Sequence, residues 1–123
     1  MDIRNSVVII TGASSGLGEA TARLFTAQGA KVALVSRSAE SISRLASELP
    51  GSLAVPTDMR DANAIASMVA DVYAHYKRID VLINNAGQGM VSPLEHTDIG
   101  LYRQLVDLNP FGPLLAMQAV IPI

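Results

Sequence analysis

Cysteine and tryptophan are absent from the 123-residue chain, and aromatic residues make up only 4% of it. Without a thiol neither a disulfide scaffold nor a thiolate metal site can form, although the lack of cysteine identifies no compartment. Charge is scarce as well, at 16% of residues where an average soluble domain carries roughly 25%. Nine Lys and Arg against eleven Asp and Glu leave a net charge of −2. No basic stripe therefore recommends nucleic acid or an anionic membrane as a partner. Long apolar runs are missing too. Val7–Ile10 and Leu114–Ile123, the latter interrupted by Gln118, are too short to cross a bilayer. The opening residues, before the first apolar run, carry no secretory h-region. A cytoplasmic domain that binds neither membrane nor nucleic acid is expected. His75 and His96 have no carboxylate or histidine partners at ligand spacing, so no metal site is expected either. What the chain has instead is apolar bulk: 50% hydrophobic residues and a mean hydropathy of +0.33. That is too much for a disordered tail, and the length fits one domain.

Strand-like and helix-like segments alternate along the chain. Val7-Val8-Ile9-Ile10 is a β-branched run with no polar alternation, as in a strand covered on both faces. Glu19 to Gln28 is predicted to be a helix with Ala20, Leu24, Phe25 and Ala27 on its apolar face and Gly29 just past its end. Lys31 to Ser36 is a second apolar strand. Ser38 then caps a helix with the face Ile42, Leu45, Ala46 and Leu49, stopped by Pro50-Gly51. Ser52 to Thr57 is a third, short strand in which Pro56 marks an edge or a strand end. Asp61 caps the next helix, to about Lys77, with the stripe Ile65, Met68, Val69, Val72 and Tyr76. Val81-Leu82-Ile83 is a fourth strand, followed by Asn84-Asn85-Ala86-Gly87. Helical character returns from Asp98 to about Val120, broken at Asn109-Pro110 because proline lacks the donor the ladder needs. This order predicts an α/β fold, a doubly wound parallel sheet with right-handed crossovers. Ligands in such sheets sit at the carboxyl ends of the strands, near the point where strand order reverses. The loops after strands one and four both fall at that edge.

The first of these loops, Gly12-Ala13-Ser14-Ser15-Gly16-Leu17-Gly18, leaves a strand and enters a helix. A phosphate there meets unpaired backbone N–H groups and the positive end of a helix dipole. Gly12 permits the tight turn, Gly16 close approach of a ligand, and Gly18 close helix–strand packing. An ordinary Gly/Ser turn capping a helix would use the same residues. Taken together, Thr11 to Gly18 and Asn84-Asn85-Ala86-Gly87 closely resemble the short-chain dehydrogenase/reductase family, in the glycine spacing of its smaller, most common subfamily. The resemblance covers the whole chain.

The resemblance implies a Rossmann-type fold in which residues 1–123 form the dinucleotide-binding, N-terminal half of a longer domain. Gly12, Ser14, Ser15, Gly16, Leu17 and Gly18 would cradle the cofactor pyrophosphate. Asp58 would accept a hydrogen bond from the adenine amino group, with Met59 against the ring; read from its residues alone, Asp58 is equally a turn or capping carboxylate. Asn84, Asn85, Ala86 and Gly87 would line the ribose and nicotinamide side of the cleft. Asn109 matches the asparagine of the family's Asn-Ser-Tyr-Lys catalytic set, whose carbonyl holds a proton-relaying water. A plain helix N-cap after the break at Pro110 fits Asn109 as well.

Cofactor choice turns on the end of strand two, where an acid would bind the ribose 2′-OH and repel a 2′-phosphate. Here Ser36-Arg37-Ser38 offers hydroxyls and a two-pronged cation, with no acid until Glu40. NADP(H) is therefore preferred over NAD(H), the other reading of Arg37 being a solvated helix-start residue. Tyr73 and Lys77 have the spacing of the family's Tyr-x-x-x-Lys pair, but they precede the Asn-Asn-Ala-Gly loop and close a helix that runs away from the cleft. Tyr73 is expected to pack and Lys77 to be a helix C-terminal charge. The apolar, uncapped end Ala119 to Ile123 suggests a chain cut after its fourth strand and following helix. The expected function is an NADP(H)-dependent oxidoreductase acting on a small-molecule carbonyl or secondary alcohol, a homo-oligomer at full length and inactive as these residues alone. A non-catalytic dinucleotide-binding module and a truncated structural or interaction protein are the alternatives.

Overall fold

The computed structural model describes residues 3–14 and 16–85. Seven elements follow one another: β1 (Val7–Thr11), α1 (Gly16–Ala27), β2 (Lys31–Ser36), α2 (Ala39–Glu48), β3 (Leu53–Pro56), α3 (Ala62–Tyr76) and β4 (Val81–Ile83). The strands form one four-stranded sheet in the order β3-β2-β1-β4. Every pairing is parallel, with Val7 opposite Lys31, Val8 opposite Val81 and Ala33 opposite Leu53. The chain thus walks outward from β1 to β3 and then crosses back to β4 on the other side of β1. The reversal between β1 and β4 is where a doubly wound sheet opens its ligand crevice. The helix expected beyond Asp98 lies outside the described residues.

Side chains of β1 and β2 sort alternately onto two covered faces, the period-two consequence of pleating. Val8, Ile10, Val32 and Leu34 pack with Ala22 of α1 and with Ile42, Leu45 and Leu49 around α2. Val7, Ile9, Ala33 and Val35 pack with Ile65, Met68, Val69 and Val72 of α3. A continuously apolar strand sequence is what this two-sided burial requires. Ser38 caps α2 by accepting a hydrogen bond from the N–H of Ser41, and Asp61 caps α3 through the N–H groups of Asn63 and Ala64. Pro56 stands at the end of β3, an edge strand of the described sheet, where a missing donor costs no ladder bond.

Helix α1 departs from the sequence expectation. It starts at Gly16 rather than Glu19, and Ala20 and Ala27 are exposed. Leu24 is 60% exposed and Leu17 72%. The buried residues of α1 are Gly18 and Ala22, with Phe25 partly buried against the same core. Close approach of helix to sheet selects the small residues for the inner face, which a hydrophobicity pattern weighs least. Past its end Gly29 adopts φ +90°, the left-handed C′ conformation expected there.

Candidate functional site

The carboxyl ends of β1, β2 and β4 are tied together by their loops. The Thr11 hydroxyl donates to the Ile83 carbonyl at 3.4 Å and accepts the Asn85 backbone N–H at 2.9 Å. The Asn85 side-chain amide donates to the Gly12 carbonyl at 3.3 Å. Across on the other side, the Ala13 N–H bonds to the Val35 carbonyl at 3.1 Å. The hydroxyls of Ser14 and Ser36 stand 2.8 Å apart in a hydrogen bond, and the Ser36 hydroxyl also accepts the Ser38 N–H at 3.2 Å. One polar chain therefore runs from the loop after β4, through the glycine turn, to the end of β2.

The glycines of that turn divide their work. Gly12 sits at φ +67°, a conformation that an L side chain rarely adopts. A Cβ on Gly18 would stand 2.0 Å from the Gly12 carbonyl oxygen and 2.7 Å from the Asn85 amide nitrogen, so only glycine lets α1 seat this close. A Cβ on Gly16 would meet, among the described residues and apart from its chain neighbours and its own helix backbone, nothing within 4 Å. The first residue of α1 thus leaves room at the helix N-terminus among the described residues. This cradle fits a dinucleotide pyrophosphate, being a helix start whose first backbone N–H groups have no intrahelical partner, with room beside Gly16 among the described residues. Leu17 beside it is exposed, and Ser15 lies outside the described residues.

At the ends of β2 and β3 a cleft of about 340 Å³ is lined by Arg37, Pro56, Thr57, Asp58 and Ala64. Ser36 holds its base, its carbonyl accepting the Thr57 N–H at 2.9 Å. Arg37 is exposed and makes no hydrogen bond or ion pair with the described residues, though its charge helps to lower the Asp58 pKa. Asp58 is gripped by Arg60 through both oxygens, and these hydrogen bonds, more than the desolvation that opposes them, hold its carboxyl below the ordinary value. Met59 is 3% exposed and its side chain belongs to the core under α3. Its side chain is thus committed to packing. Arg60 is the residue that sequence reasoning missed. A charge two positions from Asp58 in a turn has no periodicity to reveal it.

A second cavity of about 300 Å³ between α1 and α2 is lined by Ser14, Arg23, Ser41 and Arg44, among others. Arg23 is there engaged by both Glu19 and Glu48.

Tyr73 and Lys77 are at the far edge. The Tyr76 hydroxyl donates to the carbonyl of Gly51, which precedes β3, so the last turn of α3 lies over the amino ends of the strands. Lys77 is the C-cap, at φ +67°. Tyr73 is 44% exposed and does not pack as expected; the inner face at this level is taken by Val72 and Tyr76. Asn84 is exposed and Asn85 half-buried at the site, whereas Ala86, Gly87 and Asn109 lie outside the described residues. Among the described residues no group of three or more acidic or histidine side chains gathers to hold a metal.

Comparison with known proteins agrees with this geometry. The short chain dehydrogenase family profile matches residues 6–123. Dehydrogenase/reductase SDR family member 7B of Mus musculus is 36% identical over 98% of this chain and 40% of its own length. Meso-2,3-butanediol dehydrogenase of Serratia marcescens is 36% identical over 99% of this chain and 49% of its own. The crystal structure of 3-ketoacyl-(acyl-carrier-protein) reductase from Brucella melitensis, complexed with NADH, superposes with a TM-score of 0.92 at 29% identity, covering 98% of this chain and 50% of that one. The chain spans half or less of the length of these relatives.

Proposed function

The chain belongs to the short-chain dehydrogenase family, and from that premise we propose that residues 1–123 bind NADP(H), in preference to NAD(H), as the dinucleotide-binding half of an oxidoreductase. The bound nicotinamide would exchange a hydride with a carbonyl or secondary alcohol of a small molecule. The observation that carries this reading is the contrast at the start of α1, where Gly18 is closed against Gly12 and Asn85 while Gly16 is open. A turn that merely capped a helix would need the first feature and not the second.

The residues would act as follows. Backbone N–H groups from Ser14 to Gly18 neutralise the pyrophosphate, helped by the helix dipole. The Thr11 and Asn85 hydrogen bonds fix the distance between the two loops, so the pyrophosphate and the nicotinamide side of the cleft keep one spacing. Arg37 grips a ribose 2′-phosphate through two N–H donors, with the Ser36 and Ser38 hydroxyls beside it. No acid stands at the end of β2 to oppose that charge. Asp58 accepts from the adenine amino group. Asn109, by its match to the family's asparagine, is assigned to the proton relay. Neither Tyr73 nor Lys77 reaches the cleft, so residues 1–123 by themselves are expected to bind cofactor without turnover. At full length the protein is proposed to be a cytoplasmic homo-oligomer.

Titration of NADPH and NADH fluorescence tests the assignment. Saturable binding with NADPH favoured by tenfold or more, about the factor a lost charged hydrogen bond gives, is the expected result. No binding of either nucleotide would overturn it and leave an interaction protein as the reading.

A further inference from the structure

Resting on the assignment of Asp58 to the adenine amine, we propose that Arg60 is a positioning residue that leaves Asp58 one open acceptor position, so that the cleft selects a 6-amino purine over a 6-oxo purine. An ionised carboxylate offers about four lone-pair positions. Arg60 fills three of them. Its backbone N–H and its Nε both donate to Oδ1 at 3.0 Å, and its Nη2 donates to Oδ2 at 2.9 Å. No other described residue bonds to this carboxylate. The open position is therefore on Oδ2.

A fork that holds both oxygens also fixes the plane of the carboxylate. Asp58 keeps 36% side-chain exposure and lines the cleft with Arg37 and Thr57, so its open position is available to a ligand there. A 6-amino group presents a hydrogen to it. A 6-oxo group presents a lone pair to an anion that has no proton to give, since the Arg60 pairing keeps Asp58 ionised. The one escape for a 6-oxo purine is its N1–H, one position further along the base edge. A carboxylate free to swing would accept that hydrogen; one gripped at both oxygens is held from turning toward it. Arg60 thus acts on selectivity through Asp58 without touching the base.

The test compares dissociation constants for NADPH and for its hypoxanthine analogue, reduced nicotinamide hypoxanthine dinucleotide phosphate, on the full chain and on Asp58→Asn, Arg60→Gln and Arg60→Lys. The wild type should prefer the adenine cofactor by about tenfold to a hundredfold, the worth of a hydrogen bond to a charged acceptor. Asp58→Asn, whose amide can turn either way, should abolish the preference. Arg60→Gln should reduce it to about threefold or less, mostly by tightening the hypoxanthine cofactor, and Arg60→Lys, with the charge but no fork, should fall between. A residue that only braced the fold would weaken both cofactors and leave their ratio alone. If Asp58→Asn removes the preference and Arg60→Gln keeps it, the role of Arg60 is refuted while Asp58 stands. If Asp58→Asn keeps the preference, or the wild type binds neither cofactor, both fall. Should Arg60→Gln not fold, Arg60→Lys decides: an intermediate ratio supports the proposal and a wild-type ratio overturns it.

Discussion

Replacing Gly16 and Gly18 separately by alanine should divide stability from binding, because one methyl lands in space and the other in backbone. At Gly18 the new Cβ would stand 2.0 Å from the Gly12 carbonyl oxygen and 2.7 Å from the Asn85 amide. Overpacking of this kind costs about 1–3 kcal/mol. Displacing the Asn85–Gly12 hydrogen bond adds about 0.5–1.5 kcal/mol, and better helix propensity returns up to about 1 kcal/mol. The net is a loss of about 0.5–4.5 kcal/mol. At Gly16 a new Cβ would meet no described atom within 4 Å beyond its chain neighbours and own helix backbone and φ is not positive, so alanine should be neutral or stabilise by about 0.4–1 kcal/mol. That methyl would occupy the approach of the pyrophosphate, and losing one charge-assisted contact weakens binding by about 1.5–3 kcal/mol, ten- to a hundredfold in Kd. Urea denaturation and NADPH fluorescence titration read the two quantities on the same preparations. Unchanged NADPH affinity in Gly16→Ala would refute the placement of the pyrophosphate. Unchanged stability in Gly18→Ala would refute the close seating of α1.

Arg37→Ala should weaken NADPH binding by about 1.5–3 kcal/mol and leave NADH nearly unchanged, and adding Ser36→Asp should reverse the preference; equal losses for both cofactors in the titration would mean that Arg37 supports the fold. Asp80 receives hydrogen bonds from Arg78 and from the Val7 N–H, and these, Arg78 first, hold its carboxyl below the ordinary value. A depressed folded pKa gives stability that is complete above the unfolded value of about 3.9 and is lost as pH falls through the folded one. Asp80→Asn should therefore flatten the acid limb of a stability-against-pH curve below that value, and an unchanged limb would show that Asp80 does not tie β1 to β4. Tyr73→Phe should leave the proposed carbonyl reduction at full length unaltered, and residues 1–123 alone should show no NADPH oxidation with ketones or aldehydes. Turnover by residues 1–123 that Tyr73→Phe abolishes would contradict the placement of α3.

Strands and two of the helices were legible because burial on both sheet faces writes itself as uninterrupted β-branched runs, and helix caps as single polar residues. Lys31–Ser36 and Val81–Ile83 fall where the sequence places them, and Ser38 and Asp61 cap the helices they were expected to cap. Helix α1 was misread because its inner face is Gly18 and Ala22, where proximity to the sheet counts for more than hydrophobicity. The glycine turn was visible as a motif, but the different environments of Gly16 and Gly18 are tertiary facts. So are the Ser14–Ser36 and Thr11–Asn85 hydrogen bonds, which join residues 22 and 74 positions apart. The grip of Arg60 on Asp58 is local, yet turn residues obey no period that would have singled it out.

The most direct test of the central claim is a crystal structure of the protein with NADP⁺. The pyrophosphate should lie over Gly16 within hydrogen-bonding distance, about 2.7–3.2 Å, of backbone N–H groups between Ser14 and Gly18. The 2′-phosphate should be held by Arg37. A dinucleotide bound away from the α1 N-terminus, or bound there with its 2′-phosphate turned from Arg37, would contradict the account.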